Sequence, residues 1–360
     1  MDDEKNIEGI GIVIAAYNAE RYLSRAVDSV LNQTQKAWNL VIVDDGSKDS
    51  TYEIAQSYAS LDDRITALTQ NNSGAASARN KGFSQFYSGW VTYLDSDDEL
   101  LPSYLDEMLL MVLSNPGYDY YATNGKIVKL SGEHLLHRDQ KEDVKEIHLV
   151  DMLRSCAVLS AGTIQRAKTF HENGGFDERI RVAEDYCYWL RTMADGKRML
   201  AGRRPLYLYY QIAGEAGNKS ESIFGKINVI AQLEALIKSD KLSRSQKFAA
   251  EEGMSAQKDN LIAQFWSFDK GERESLLESV EINSEAKQIL LNSQARMNDI
   301  LIAQDEHFKR LRQKEMFVAG MEKVFGPRMA HGIRSTVERG SKILLPLRNA
   351  SIRLANLFKR

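Results

Sequence analysis

The sequence predicts an α/β protein: a Rossmann-like, mostly parallel sheet flanked by helices, with a helical extension at the C-terminus. Short apolar, β-branched runs alternate with helical patterns through the first part of the chain, which is the signature of a doubly wound sheet. Two of those runs stop abruptly in carboxylates, at Val43-Asp44-Asp45-Gly46-Ser47 and at Leu94-Asp95-Ser96-Asp97-Asp98. In such sheets ligands bind beyond the carboxyl ends of the strands. Both acidic clusters fall there.

Ile10–Ala16 is a continuous apolar run and reads as a buried strand. Asn18 is expected to cap a helix through about Gln33, with Tyr22, Leu23, Ala26, Val30 and Leu31 on its inner face. Leu40–Val43 is the second strand, Ser50 opens the next helix, and Ile65–Leu68 is a short third strand. After the loop Asn71–Gly74 comes a helix over Ala75–Phe86, then a fourth strand, Trp90–Leu94, and a helix from Pro102 to about Leu113. Residues 118–147 read as mixed strand and loop. Leu149–Cys156 and Glu184–Ala194 read as helices, Gly174-Gly175 as a turn, and Leu206–Gln211 as a short strand. Beyond about Ile223 the chain becomes long, charged and helical, broken only by Pro327 and Pro346. Two domains are therefore expected, residues 1–222 carrying the chemistry and residues 223–360 forming a helical region. A stripe of Met297, Leu301, Phe308 and Leu311 there is interrupted at Gln304 and Glu315, which favours a packed appendage over a coiled coil.

Apolar residues make up 43% and charged residues 27% of the 360, as in an ordinary soluble protein. The net charge of −3 hides an asymmetry: residues 309–360 hold 13 Lys/Arg and 3 Glu, and the rest hold 34 basic and 47 acidic groups. An acidic body with a basic tail predicts that the tail meets something anionic. Residues 340–360 alternate apolar and basic side chains, as a helix lying in an anionic membrane interface does; packing on the body or on a second copy through the C-terminal helices is the other reading. Without an interleaved aromatic platform, nucleic acid is not the expected partner. Cys156 and Cys187 have no metal-type spacing and are expected to be free thiols. With no apolar leader and no run of membrane-spanning length, the expectation is a cytoplasmic protein, peripheral on the inner face of the membrane if the tail docks there.

Carboxylates in such numbers repel one another unless a cation or hydrogen-bond donors sit among them. A hard divalent ion carrying phosphates, Mn²⁺ or Mg²⁺, is the simplest occupant. Between the clusters, Gly74-Ala75-Ala76-Ser77-Ala78-Arg79-Asn80-Lys81-Gly82 is a small-residue helix start bearing cations; it suits either an anionic ligand or tight packing on the sheet. Glu184-Asp185 opens a helix with Tyr188, Trp189 and Leu190 on its stripe; the pair either complements the helix dipole or supplies a general base. His134 and His137 have a two-ligand spacing without partners and are expected in a solvated loop. No dinucleotide-binding glycine fingerprint, phosphate-binding loop or nucleophile elbow is present, which removes support for three large enzyme classes.

Taken in order, Ile12–Asn18, Val43–Ser47, Gly74–Gly82, Tyr93–Asp98, Gly174-Gly175-Phe176-Asp177 and Glu184-Asp185 resemble the family 2 inverting glycosyltransferases of GT-A fold. The resemblance runs from about Ile10 to Gln211. It implies a nucleotide-sugar donor, most often UDP-linked, and a glycan or lipid-linked acceptor. Asp45 would bond the base with Arg79 nearby, and Ala15, Asn18 and Asp95 would lie on the donor side. Asp97, with Asp95, would hold the metal; Asp185 would be the catalytic base; Gly175, Phe176, Glu184 and Trp189 would lie toward the acceptor. Two departures stand out. The stretch Tyr209–Gly214 lacks the histidine common after the last core strand, and Gln165 replaces a common aromatic. A nucleotidyltransferase releasing pyrophosphate and a non-catalytic sugar-binding protein are the alternatives.

Overall fold

The computed structural model describes residues 9–87, 89–158, 160–211, 219–279 and 284–293. Its strands are β1 (Ile10–Ala16), β2 (Trp38–Asp44), β3 (Ile65–Thr69), β4 (Trp90–Asp95), β5 (Glu99–Leu100), β6 (Tyr120–Val128), β7 (His134–Leu136), β8 (Val144–Ile147), β9 (Thr163–Arg166) and β10 (Met199–Tyr210). The helices are α1 (Leu23–Leu31), α2 (Thr51–Leu61), α3 (Ala75–Phe83), α4 (Tyr104–Ser114), α5 (Leu149–Arg154), α6 (Ala167–Glu172), α7 (Glu184–Ala194), α8 (Lys219–Lys238), α9 (Arg244–Trp266), α10 (Lys270–Glu278) and α11 (Ser284–Leu291).

All strands join one sheet in the order β3-β2-β1-β4-β9-β6-β10-β5, with β7 on β6 and β8 on β10. From β3 to β4 the ladders are parallel, so Asp44 and Asp95 end neighbouring strands on either side of β1, level with Ala16 and Ala15. Both faces are covered. Ile10, Ile12, Ile14 and Ala16 pack on one side of β1 with α1, Leu40 and Ile42, while Val13 packs on the other with Phe83, Val91 and Tyr93. Strands buried on both faces lose the polar alternation of a half-exposed sheet, which is why they read as unbroken apolar runs.

The second half of the sheet is mixed. β9 runs antiparallel to both β4 and β6, and β6 is parallel to β10. β10 is longer than its sequence suggests, because Gly202 and Pro205 look like breaks; the pairing with β6 shifts on either side of Pro205 instead, which absorbs a residue that donates no N–H. Helix α1 starts at Leu23, not after Asn18. Asn18 sits in the left-handed region (φ 49°), and its polar groups are spent on the loop after β2: its N–H donates to Ser47 Oγ (2.9 Å) and its Oδ1 accepts from Lys48 N–H (2.8 Å). Both cysteines are free.

The chain divides into two compact units, 1–257 and 258–360. In the first, α7 packs against α5 and α8, with Val229, Leu233 and Leu236 of α8 joining the core that holds Trp189 and Tyr188. In the second, Trp266 Nε1 donates to Ser293 Oγ (2.7 Å), and Asp269 and Glu272 cap α10 reciprocally. The basic tail and the stripe from Met297 onward lie outside the described residues.

Candidate active site

At the carboxyl end of β2 both oxygens of each aspartate are occupied, those of Asp44 by the loop after β2 and the end of β3, those of Asp45 by the loop that follows β3. Asp44 accepts from Ser47 N–H (3.2 Å) and Thr69 Oγ1 (3.0 Å). Asp45 Oδ1 accepts from Gln70 Nε2 (2.8 Å) and Ser73 N–H (2.9 Å), and its Oδ2 from Gly74 N–H (2.8 Å). Gly74 reaches that oxygen with φ 91°, a conformation that a side chain disfavours. The same helix shows why its sequence is small: a Cβ on Gly82 would lie 2.3 Å from Val13 Cγ1, so α3 lies close against β1. Tight packing and ligand-side chemistry coexist on one helix.

Arg79 is the hub. Buried at 7% exposure, it donates from Nη2 to Asp95 Oδ1 (2.5 Å) and from Nη1 to Glu184 Oε1. Asp95 Oδ2 takes a further hydrogen bond from Ser160 Oγ (3.0 Å). The strand end and the start of α7, far apart in sequence, therefore meet through one guanidinium. Burial works against its charge, yet Asp95 and Asp185 keep Arg79 firmly cationic. Asp185, in the first turn of α7, is half-buried and accepts from Tyr186 N–H (2.7 Å). Burial raises its pKa from the ordinary value, and Arg79 pulls it back part of the way. The turn into α7 is made by Ala183 in the left-handed region (φ 65°), with no side-chain cap.

The turn after β4 has a different balance. Asp98 is buried (1% exposed); its Oδ1 accepts from Tyr210 N–H (3.1 Å), and its Oδ2 has no hydrogen-bond partner. Burial, then the neighbouring Asp95 and Asp97, drive its pKa well up. Asp97 is half-buried, and its carbonyl accepts from Arg25 Nη2.

The residues expected toward an acceptor divide. Gly175 and Phe176 lie in a loop held to α3, where Asn80 accepts from Phe176 N–H (2.9 Å) and donates to its carbonyl (2.9 Å). Phe176 itself is core, packed edge-on to Tyr93. Trp189 is fully buried, and Glu184 turns to Arg79. Ala15 sits in the strand beside Asp95, and Asn18 lies at the exposed rim. Sequence reasoning missed Asn80, Ser160, Arg25 and Tyr210. Only Asn80 carried a signal, being inside the small-residue motif. His134 is exposed but lies in strand β7, not in a loop, and His137 just after it is half-buried, which lowers its pKa.

Among the described residues, no three His, Cys, Asp or Glu side chains form a ready metal cage. The acidic turn nonetheless fits a hard cation: its donors are carboxylate oxygens, and one buried oxygen of Asp98 lacks a partner. Mg²⁺-type ions are commonly held by one or two carboxylates plus substrate phosphates rather than by an all-protein cage.

A family model described as glycosyl transferase family 2 matches residues 11–169. A putative teichuronic acid biosynthesis glycosyltransferase, TuaG of Bacillus subtilis (strain 168), is 37% identical over 194 residues, covering 52% of this chain and 73% of that protein. Two other curated glycosyltransferases are matched over only 25% and 29% of their length. S. aureus TarS 1–349 in complex with UDP-GlcNAc superposes with a TM-score of 0.56 at 19% identity, over 79% of each chain. The mannosyltransferase PcManGT from Pyrobaculum calidifontis, in complex with GDP-Man and Mn²⁺, gives 0.51 at 15% identity, over 82% of this chain and 81% of that one. At these identities the two structures establish a shared fold.

Proposed function

Because the chain belongs to glycosyl transferase family 2, we propose that it moves a sugar, with inversion, from a nucleotide-sugar donor to a hydroxyl of a glycan or lipid-linked acceptor. The Arg79 clasp is the observation that carries this reading, since it ties the Asp95 strand end to the acidic start of α7. The likeness to TuaG supports a role in cell-surface polymer synthesis, and the UDP-GlcNAc bound by TarS supports a UDP-linked donor.

Asp185 takes the proton of the acceptor hydroxyl. The freed oxygen bonds to the anomeric carbon opposite the diphosphate, the old C–O bond breaks, and the nucleoside diphosphate leaves. A carboxylate whose pKa is raised by burial is a stronger base, and Arg79 favours its ionised form. Asp97, backed by Asp95, would hold Mn²⁺ or Mg²⁺, which when bound offsets the charge on the departing diphosphate. Arg79 fixes the Asp95 carboxylate, while Ala15, Asn18 and Asp45 form the nucleotide side of the cleft. Glu184, Trp189 and the Gly175-Phe176 loop shape the acceptor side from behind. Residues 1–222 form the catalytic domain in this reading.

The test is release of nucleoside diphosphate from a panel of nucleotide sugars with Mn²⁺. Asp185→Asn should cut turnover by ~10²–10⁴-fold while calorimetry shows donor binding intact. The wild-type rate should fall on acidification, with its midpoint above that of a solvent-exposed aspartate, because protonation of a raised carboxylate removes the base. Full activity in Asp185→Asn, or pyrophosphate as the product, overturns the proposal. Residues 340–360 are read from sequence as an interfacial helix or a contact to a second copy. Deletion beyond Gly340 should abolish flotation with anionic vesicles, and unchanged flotation removes the membrane role.

A further inference from the structure

Arg25 of α1 and Tyr210, the last residue of β10, grip the acidic turn from two sides. Arg25 donates from Nη2 to the Asp97 carbonyl, and its guanidinium lies 3.7 Å from the centroid of the Tyr210 ring. Tyr210 in turn donates its main-chain N–H to Asp98 Oδ1 (3.1 Å) and its hydroxyl to Glu99 Oε2 (2.9 Å). Immediately after the turn, Glu99 and Leu100 pair with Leu208 and Tyr207 of β10. The turn is thus clamped at Asp97, Asp98 and Glu99 by three different kinds of contact, all converging on one arginine–tyrosine stack. Its own carboxylates give it little internal support, since like charges push the segment open and Asp98 Oδ2 is unpartnered.

We propose that Arg25 and Tyr210 are positioning residues for sugar transfer: they fix the backbone of the acidic turn so that its carboxylates meet the donor diphosphate and its cation in one orientation. This inference rests on the transferase reading above. Neither residue need touch the substrate. A planar guanidinium is suited to the task because it stacks through its face while donating hydrogen bonds from its edge, which an ammonium cannot do. The clamp also places a positive charge against the acidic turn, which offsets part of the repulsion there.

The test is calorimetric binding of UDP with and without Mn²⁺, run beside donor turnover and thermal unfolding of the metal-free protein. Arg25→Ala should weaken Mn²⁺-dependent UDP binding about 10–100-fold, the combined scale of a stack and a charged hydrogen bond. UDP binding measured without metal should move far less. Arg25→Lys should restore only part of the loss. Tyr210→Ala should match Arg25→Ala, and the double variant should be no worse than either, because both break one clamp. Tyr210→Phe, which loses only the Glu99 hydrogen bond, should cost about threefold. If Arg25→Ala binds UDP and Mn²⁺ like the wild type, or loses metal-free and metal-dependent binding equally, the positioning role is wrong while the transferase reading stands. If the wild type shows no Mn²⁺-dependent binding of UDP or of any other nucleoside diphosphate in the panel, the functional reading fails and takes this inference with it.

Discussion

At the end of β2, Asp44 and Asp45 accept hydrogen bonds from Ser47, Thr69, Gln70, Ser73 and Gly74. At the end of β4, Asp95 is held by Arg79 and Ser160, while Asp98 keeps a buried oxygen with no partner. Both sites are clusters of carboxylates at the end of a parallel strand. The first has neutral donors for each oxygen and so shapes a loop; the second sets Asp95 on Arg79 and Ser160 and leaves one oxygen of Asp98 without a donor. Equal sequence signatures thus divide into a scaffold and a site that gains from a cation.

That contrast can be broken most forcefully at Arg79. Arg79→Met leaves Glu184 and Asp95 without their counter-charge, and stability should fall by about 3–5 kcal/mol. Denaturant unfolding reads this directly, and adding Glu184→Gln to the variant should recover part of the loss. Little change from Arg79→Met would mean that the clasp is solvated rather than structural. Next comes the scaffold side. Asp45→Asn turns one acceptor oxygen into a donor facing the N–H groups of the loop, and should cost about 1–3 kcal/mol. An unchanged urea midpoint would put Asp45 in the same class as the second cluster.

The smallest expected effect has the opposite sign. Asp98→Asn removes a charge that burial and its neighbours oppose, so the metal-free protein should gain about 1 kcal/mol near pH 7, read as a higher Tm. A carboxylate whose pKa is raised on folding weakens the fold as pH climbs past its unfolded value. The gain should therefore vanish below about pH 4, where Asp98 is protonated in both states. A Tm that drops at pH 7 would show that Asp98 is stabilising as it stands.

The parallel half of the molecule was legible because β1, β2 and β4 are buried on both faces and α1 carries a clear apolar stripe. The start of α7 was legible for the same reason. The mixed half was not: β9 is only Thr163–Arg166, too short for a pattern, and Gly202 and Pro205 disguise the first part of β10. Within the site, the acidic residues were visible as motifs, but their partners were not. Glu184 reads as a free helix-start carboxylate until Arg79, 105 positions away, is seen beside it. Arg25 sits in an amphipathic helix where a cation reads as solvent-facing. Trp189 follows a stripe that could face a cleft or a core, and only the packing of α8 against α7 decides for the core.

Ala183 enters α7 with φ 65°, where a Cβ costs roughly 1–2 kcal/mol that glycine would not incur. The residue next to it reaches Arg79, and the one after is the acid raised by burial. The methyl group narrows the range of peptide orientations just upstream of both. A heat-resistance screen blind to turnover would favour glycine at 183, and the survivors would be sturdier proteins with a looser aim.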